Sequence, residues 1–388
     1  MKKTNLIPAV LALLLASCGG GSEGGAQNSG TARKPAAATN KLNIYNWSDY
    51  VDPDTVAEFE KKYGIEVRYD FYDSNEALEG KVLTGKSGYD LVAPSFAHVG
   101  RQIKAGAYQE IDKAQIPNYG NIDPGLLKQM EKVDPGNKYA VPYFWGINTL
   151  AINTDKVKAA LGGEQMPENE WDLVFNPKYT AKLKNCGISF FDSPTEQYPL
   201  ALNYLGKDPN SEDPADLAAA TELMEKVRGD IKRFTSSGYI DDMATGNLCA
   251  AIGYGGDLNI AKTRAEEAGN GVKLQVLTPK TGVGLWIDSF MIPRGAPNAA
   301  NAHKYINYTL DAKIAAKNGN FVTYAPASMP ARALMDKKYA DSPSVFPTEE
   351  LLAHSFAVLP KSPATVRLQT KLWQGLKAGQ TVRPAAGG

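Results

Sequence analysis

Strands and helices alternate where the folded part of the chain begins, and this pattern limits the possible folds more than any other feature of the sequence. Segments 42–47, 65–72 and 89–95 are short and rich in apolar, β-branched and aromatic residues, which predicts three strands. Asp52 and Ser74 each precede a helical run and are typical helix N-caps. The order strand, helix, strand, helix, strand indicates a parallel sheet covered by helices.

A second series of similar segments follows, and the length of 388 residues fits two domains better than one. Segment 137–154 is long and extended, as expected of a crossover between two halves. Helices are predicted over 216–229 and 298–311 because their apolar residues recur at helical spacing. Further strands are expected within the segments 185–194, 247–261 and 272–293.

The first residues are typical of an export signal. Two lysines precede the apolar run 6–15, which is too short to cross a bilayer. Leu15-Ala16-Ser17-Cys18 resembles a lipobox, so we expect residues 1–17 to be removed and Cys18 to carry lipid. An ordinary signal peptide with an incidental cysteine is the alternative. The Gly-, Ser- and Ala-rich stretch that ends at residue 40 cannot bury a core, so residues 18–40 are expected to form a flexible tether.

The remaining two cysteines, Cys186 and Cys249, are consistent with a disulfide or with two buried free thiols. An exported protein enters an oxidising compartment, which favours the disulfide. The 42 basic and 42 acidic residues cancel, and no basic run stands out. The charge pattern therefore excludes nucleic acid as an expected partner.

Three acids follow an aromatic residue by two or three positions, each near the end of a predicted strand. The pairs are Trp47-x-Asp49, Tyr254-x-x-Asp257 and Trp286-x-Asp288. A fourth acid, Glu196, follows another strand. Residues two apart in an extended segment point to the same side, and ligands of such sheets bind beyond the carboxyl ends of the strands. The pattern predicts carboxylates and rings around one cleft.

Carboxylates placed among aromatic rings suit an organic cation. The acids accept N–H hydrogen bonds, and each ring face attracts a cation by about 0.5–2 kcal/mol. A linear diamine or triamine would place its ammonium groups on acids and its alkyl segments between rings. A metal ion would instead favour oxygen ligands without rings. The alternative is that each ring merely packs beside a capping acid.

Catalytic signals are weak. His98, His303 and His354 lie far apart without metal-ligand spacing, so we expect packing or surface histidines and no metal site. The sequence has no nucleophile elbow, phosphate loop or dinucleotide fingerprint, and no cofactor is expected. Asp49 and Asp257 could serve a secreted hydrolase, but that interpretation leaves the ring beside each acid unexplained.

Seven segments stand in order along residues 41–385: IYNWSDY, YDLVAPS, VPYFWG, CGISFFDSP, YLGKDPNS, AIGYGGD and WIDSFMIP. Together they resemble the periplasmic spermidine/putrescine-binding proteins of polyamine ABC transporters. The resemblance implies an α/β, two-lobed type II periplasmic-binding-protein fold with crossover hinge segments. It places lobe 1 at 41–146 plus 259–312, and lobe 2 at 147–258 plus 313–388.

The resemblance also implies a ligand site, residue by residue. Its members are Trp47, Ser48, Asp49, Tyr50, Ser95, Glu196, Ser236, Tyr254, Asp257, Trp286, Asp288 and Tyr324. The acids would hold ammonium groups, and the rings would cover the alkyl chain. Cys186 and Cys249 match a cysteine pair of the putrescine-binding branch, which further favours the disulfide.

Three positions bear on the length of the ligand. Tyr254 stands where relatives often carry Trp, which reduces the stacking area but keeps a ring. Ala97 stands where spermidine-binding relatives often carry Tyr, which favours a smaller site. Trp286 is the larger ring associated with spermidine binders. The three positions together slightly favour spermidine over putrescine as the ligand.

The expected function is therefore polyamine capture and delivery to an ABC transporter permease by cleft closure, without catalysis. The protein would be a monomer, anchored by lipid in the periplasm or cell envelope. Two other classes stay open at this point: a ligand-free scaffold or adhesion protein on the same fold, and the secreted carboxylate-dependent hydrolase.

Overall fold

The computed structural model describes residues 39–72 and 74–380. The predicted signal peptide, Cys18 and most of the predicted tether lie outside the described residues. Among the described residues, no helix is both long and apolar enough to cross a membrane.

The described strands join into one mixed sheet. They are β1 (Lys41–Trp47), β2 (Glu66–Tyr72), β3 (Leu91–Val92), β4 (Ala140–Asn153), β5 (Ile188–Phe190), β6 (Ile231–Phe234), β7 (Ala250–Tyr254), β8 (Leu274–Leu277), β9 (Gly284–Met291), β10 (Ala325–Pro326) and β11 (Phe356–Ala357). The main path runs β2-β1-β3-β9-β4-β7-β5-β6. Strands β8 and β10 pair with β4, and β11 pairs with β9.

Helices cover the sheet. They are α1 (Pro53–Tyr63), α2 (Asn75–Val82), α3 (Phe96–Lys104), α4 (Pro124–Met130), α5 (Thr154–Leu161), α6 (Asp172–Phe175), α7 (Pro177–Leu183), α8 (Pro194–Tyr204), α9 (Pro214–Val227), α10 (Tyr239–Ala244), α11 (Gly255–Ala268), α12 (Ala299–Thr309), α13 (Ala312–Val322), α14 (Lys337–Ala340), α15 (Glu349–His354) and α16 (Pro363–Lys377). Short 3-10 helices span Lys113–Gln115, Pro117–Asn121, Arg228–Asp230 and Met329–Leu334.

The alternating pattern at the start of the chain was predicted correctly. Strand β1 pairs in parallel with β2 on one side and β3 on the other. Asp52 caps α1 by accepting a hydrogen bond from the Asp54 amide, and Gly64 ends that helix with φ 63°. Ser74 caps α2 in the same way. Local capping chemistry therefore fixes where α1 and α2 begin.

Two antiparallel strands, β4 and β9, carry the chain between two hydrophobic cores. The first core is built from residues within 42–145 and 287–345, and the second from residues within 147–283 and 351–376. Along β4, Trp145 belongs to the first core and Ile147 to the second. The predicted crossover at 137–154 is thus a single buried strand, and Gly146 lies at the border between the cores.

The border of the cores differs from the lobe boundaries expected at 258/259 and 312/313. Strand β8 pairs with the second-core end of β4, and helix α11 packs against both strands, so the chain stays with the second core until β9. Strand β10 pairs with Phe144 and Trp145, which holds the segment after residue 312 in the first core.

We therefore propose that lobe 1 comprises residues 41–146 plus 286–346, and that lobe 2 comprises 147–285 plus 349–377. The boundaries expected from the sequence differ from these because β8 and β10 are short strands without a clear alternating pattern. Only their pairing with β4 shows to which core the flanking helices belong.

A disulfide joins Cys186, just before β5, to Cys249, just before β7. It closes a segment of 63 residues and lies in the second core, at the amino ends of two neighbouring parallel strands. The disulfide expected from the sequence is present in the structure.

Candidate ligand-binding site

A cavity of about 770 Å³ opens at the carboxyl ends of the strands, where the two cores meet. All twelve residues predicted to form the site line it: Trp47, Ser48, Asp49, Tyr50, Ser95, Glu196, Ser236, Tyr254, Asp257, Trp286, Asp288 and Tyr324. The fold thus gathers residues from across about 280 positions of sequence around one space, as the rule for α/β sheets predicts.

The turn after β1 supplies one wall. Trp47 is the last residue of the strand, and its indole N–H donates to the Ala93 carbonyl at 3.0 Å, which fixes the ring. Asp49 has a left-handed backbone with φ 54° and is exposed at the rim. Tyr50 is buried, and its carbonyl accepts a hydrogen bond from the Tyr143 hydroxyl at 2.9 Å. This wall therefore offers one fixed indole, one buried phenol and one exposed carboxylate.

Ser95 and Asp288 lie side by side, since the first pairs with the second as an antiparallel bridge. Ser95 begins α3 without capping it through its side chain. The hydroxyl instead accepts a hydrogen bond from Asn75 at 3.2 Å. A hydroxyl that its own helix does not use is available to a neighbouring ligand or carboxylate.

Asp288 is a buried acid that lacks a strong partner. Burial raises its pKa to about 7, the nearby Ser95 and Tyr50 hydroxyls lower it, and the charge of Glu196 raises it further. Among the described residues, the buried atoms Asp288 Oδ1 and Trp286 Nε1 have no hydrogen-bond partner. Buried polar atoms are normally paired, so this part of the cavity is prepared for a group that the protein itself does not supply.

Asp257 lies in the first turn of α11, held by two tyrosines. The Tyr324 hydroxyl donates to Oδ1 at 2.6 Å, and the Tyr239 hydroxyl donates to Oδ2 at 2.8 Å. Burial raises the pKa of Asp257, and these two hydrogen bonds lower it. The acid is thus fixed in one orientation before any ligand arrives.

Glu196 lies in the first turn of α8. Its Oε2 accepts a hydrogen bond from the side-chain amide of Asn148, which is fully buried on β4. Burial raises the pKa of Glu196 to about 7, and the bond from Asn148 lowers it. Asn148 Oδ1 is also buried without a partner.

Aromatic rings fill the space between the acids. The rings of Trp286 and Tyr324 meet edge to face at 5.0 Å, and those of Tyr254 and Trp286 do so at 6.3 Å. Burial raises the pKa of Tyr254 well above its usual value, and Glu196, Asp257 and Asp288 raise it further. The phenol of Tyr254 therefore lies within the field of all three acids.

Acidic groups outnumber basic ones in the lining of the cavity. Its lining contains four carboxylates, those of Asp49, Glu196, Asp257 and Asp288. The only basic residue among the lining residues is Arg264, and it pairs with Asp241 at 2.6 Å. A cation entering this cavity would replace the missing counter-charge, whereas an anion would be repelled.

Sequence reasoning missed two residues that support the acids. Asn148 is a polar residue within an otherwise largely apolar strand, and that anomaly could have drawn attention to it. Tyr239 lies on the short helix α10, where no sequence signal relates it to Asp257. The described residues contain no cluster of three or more His, Cys, Asp or Glu side chains suited to a metal ion.

Comparisons with known proteins agree with this geometry. Residues 54–348 match the sequence model of a family described as bacterial extracellular solute-binding protein. The chain is 46% identical over 346 residues to a putrescine-binding periplasmic protein of Pseudomonas aeruginosa, covering 89% of this chain and 94% of that protein. It is 44% identical over 346 residues to a putrescine-binding periplasmic protein of Escherichia coli, with coverage of 89% and 93%.

A solved structure is also similar. The spermidine/putrescine transporter substrate-binding protein of Streptococcus pneumoniae superposes with a TM-score of 0.76 at 28% identity, covering 88% of this chain and 100% of that one. The two-lobed type II fold expected from the sequence is thereby confirmed.

Proposed function

The chain belongs to the family of bacterial extracellular solute-binding proteins, and we propose that its cavity binds a linear aliphatic polyamine for delivery to an ABC transporter. One buried and two half-buried carboxylates set among aromatic rings, with no free cation among the lining residues, are the observation that carries this proposal. The names of the putrescine-binding relatives support it independently.

The chemistry of the lining residues matches a diammonium or triammonium chain. Asp288 and Glu196 carry carboxylate oxygens that can accept N–H hydrogen bonds, and hydrogen bonds to charged groups contribute roughly 1.5–3 kcal/mol each. The rings of Tyr254, Trp286 and Tyr324 offer apolar faces to the methylene groups between the charges. Two or three such bonds could provide much of the about −8 kcal/mol that corresponds to micromolar binding.

Ligand capture would close the cleft. Asp288 lies on the strand that leads into the first core, whereas Glu196 and Asp257 begin helices that pack on the second. A cation that bridges both groups favours the closed arrangement by its additional contacts there. Strands β4 and β9 connect the cores and would serve as the hinge. The closed form would then dock on the permease.

The alternatives from sequence are less consistent with these contacts. A hydrolase would use Asp49 and Asp257 as its pair of catalytic acids. Asp49, however, is exposed at the rim, and both carboxylate oxygens of Asp257 already accept hydrogen bonds from tyrosines. The relatives are named as binding proteins rather than enzymes. A ligand-free scaffold would have no need for buried polar atoms without partners in an open cavity.

Location outside the cytoplasm follows from the family. We further propose that Cys18 carries a lipid anchor and that the protein acts as a monomer. The lipobox-like sequence supports the anchor. Replacing Cys18 with Ala should move the protein from the membrane fraction to the soluble fraction. Continued partition with membranes would contradict the anchor and leave the ligand assignment untouched.

A thermal-shift panel tests the proposed function. Putrescine, spermidine, an amino acid mixture and a sugar mixture would each be added at saturating concentration to the purified protein. Ligand binding to the folded state raises the melting temperature. We expect a shift of several degrees with the polyamines alone. No shift with any amine would support the scaffold, and a shift with sugars would support the hydrolase.

A further inference from the structure

Gly146 on β4 lies directly opposite Trp286 on β9, at the border of the two cores. A side chain at this position would collide with the indole. A Cβ built on Gly146 would lie 2.5 Å from Trp286 Cζ2 and 3.0 Å from Cε2. The indole therefore occupies the space that any other residue would fill with its own side chain.

Backbone conformation does not explain this glycine. Gly146 lies within a continuous strand and does not have a positive φ, so an alanine could adopt its conformation. A glycine inside a strand otherwise weakens it, and such a residue often marks a close approach by another group. The close approach here is that of the Trp286 ring, a cross-strand contact between directly opposite residues.

Three pairs of opposite residues follow one another along β4 and β9, and two of their members, Trp286 and Asp288, line the cavity. Phe144 pairs with Asp288, Gly146 with Trp286, and Asn148 with Gly284. Asn148 in turn holds Glu196. Trp286 therefore lies between the Asp288 end and the Glu196 end. These ends are four residues apart along the strand, which is about 13 Å.

We propose that Gly146 is a residue that determines which ligand length the cavity accepts, through the position it gives to Trp286. This inference rests on the proposed polyamine function. Because residue 146 has no side chain, the indole packs directly against β4, and the path of a ligand from Asp288 to Glu196 stays open. A long amine that spans both ends must cross the Trp286 ring, whereas a short diamine need not.

A methyl group at residue 146 would force the indole to move, and the surrounding groups limit the direction of that movement. Strand β4 lies beneath it, and the rings of Tyr324 and Tyr254 meet it edge to face at 5.0 and 6.3 Å. The remaining side is the cavity, which Trp286 lines. The indole would therefore move into the path of the ligand.

The test is a double-mutant cycle with Gly146→Ala and Trp286→Phe, read out as dissociation constants for putrescine and spermidine by calorimetry. Overpacking by Gly146→Ala should weaken spermidine binding at least about 20-fold and putrescine binding less than about 3-fold. In the Trp286→Phe background, where Cζ2 is absent, Gly146→Ala should change either affinity less than about 2-fold. Gly120→Ala is the matched control, because nothing lies within 4 Å of its Cβ position.

The outcomes separate cleanly. The role of Gly146 would be overturned if Gly146→Ala weakened the binding of both amines equally, or weakened binding equally with Trp and with Phe at residue 286. Either result would leave the polyamine function standing. Wild-type protein that binds putrescine but not spermidine would also overturn it. Wild-type protein that binds neither amine would refute both proposals. If Gly146→Ala alone does not fold, the double variant Gly146→Ala/Trp286→Phe is compared with Trp286→Phe. A difference between the two in the ratio of spermidine affinity to putrescine affinity would refute the inference.

Discussion

The Tyr324 hydroxyl donates a 2.6 Å hydrogen bond to Asp257, and this bond joins the two hydrophobic cores. Tyr324 belongs to the first core, whereas Asp257 begins a helix packed in the second. The same contact orients an acid of the cavity and links the two halves of the protein. It therefore couples the shape of the site to the relative position of the cores.

Replacing Tyr324 with Phe keeps the ring and removes this bond. We expect putrescine binding to weaken about 5- to 20-fold, since a hydrogen bond to a charged group contributes roughly 1.5–3 kcal/mol and part of the loss is recovered by water. Titration calorimetry of the wild type and the variant measures the difference. Ser342→Ala, which removes a hydroxyl outside the cavity lining, is the control. An unchanged affinity would show that the bond does not organise the site.

The Asp288 carboxylate should lower the stability of the empty protein and strengthen ligand binding. Burial raises its pKa in the folded, empty protein to about 7, above the usual value of 3.8. Stability from such a group is fully present below about pH 4 and is lost as the pH rises through about 7. Asp288→Asn should therefore raise the melting temperature of the empty protein by several degrees at pH 8, and the gain should shrink as the pH falls and disappear by about pH 3.

The same variant should bind putrescine at least about tenfold more weakly, because it loses a charged acceptor. Asp70→Asn is the matched control for stability. The pKa of Asp70 is lowered, chiefly by its bond from Arg68 and against the effect of burial, so removing this charge should give no gain at pH 8. A melting temperature of Asp288→Asn at or below that of the wild type at pH 8 would contradict the assigned cost of the buried carboxylate.

Binding should release protons near neutral pH. Burial raises the pKa values of Glu196 and Asp288 to about 7 in the empty protein, and a bound ammonium favours their charged forms. Affinity for spermidine, the amine long enough to reach both acids, should thus fall as the pH drops from 8 to 5.5. Calorimetry in two buffers with different ionisation enthalpies counts the protons released. A dissociation constant that stays constant over this range would show that these acids do not contact the ligand's charges.

The disulfide should affect stability and not affinity. Cys186 and Cys249 lie before β5 and β7, at the opposite ends of these strands from Glu196 and Asp257. Reduction should lower the free energy of unfolding by about 2–4 kcal/mol, because it frees a long loop in the unfolded chain. Chemical denaturation with and without reductant measures this, and a parallel putrescine titration should agree within error. A large loss of affinity on reduction would place the disulfide in the binding mechanism.

Several features of the site could be predicted because they are local or follow from the sheet. Trp47, Tyr254 and Glu196 each stand at or just after the carboxyl end of a strand, and parallel topology brings such ends together. The pairing of Trp286 with Asp288 on one face of β9 follows from the two-residue period of a strand. The family resemblance added Ser236 and Tyr324, which no spacing rule identifies.

Other features depend on long-range pairing and could not be predicted. The close contact between Trp286 and Gly146 depends on the register of β4 against β9. Residues far apart in sequence determine that register together. The left-handed backbone of Asp49 places that acid at the rim, although its spacing from Trp47 indicated a shared strand face. The border between the two cores could not be predicted for the same reason, because only pairing with β4 shows to which core β8 and β10 belong.

The most direct test of the central claim compares putrescine with 1,4-butanediol, which has the same carbon chain but no charge. Calorimetric titration of the full-length protein at pH 8 should give one site for putrescine with a dissociation constant of about 1 μM or lower. The diol should give no saturable heat, because the carboxylates of Glu196, Asp257 and Asp288 would gain no counter-charge. Equal binding of the two, or no binding of putrescine, would contradict the account.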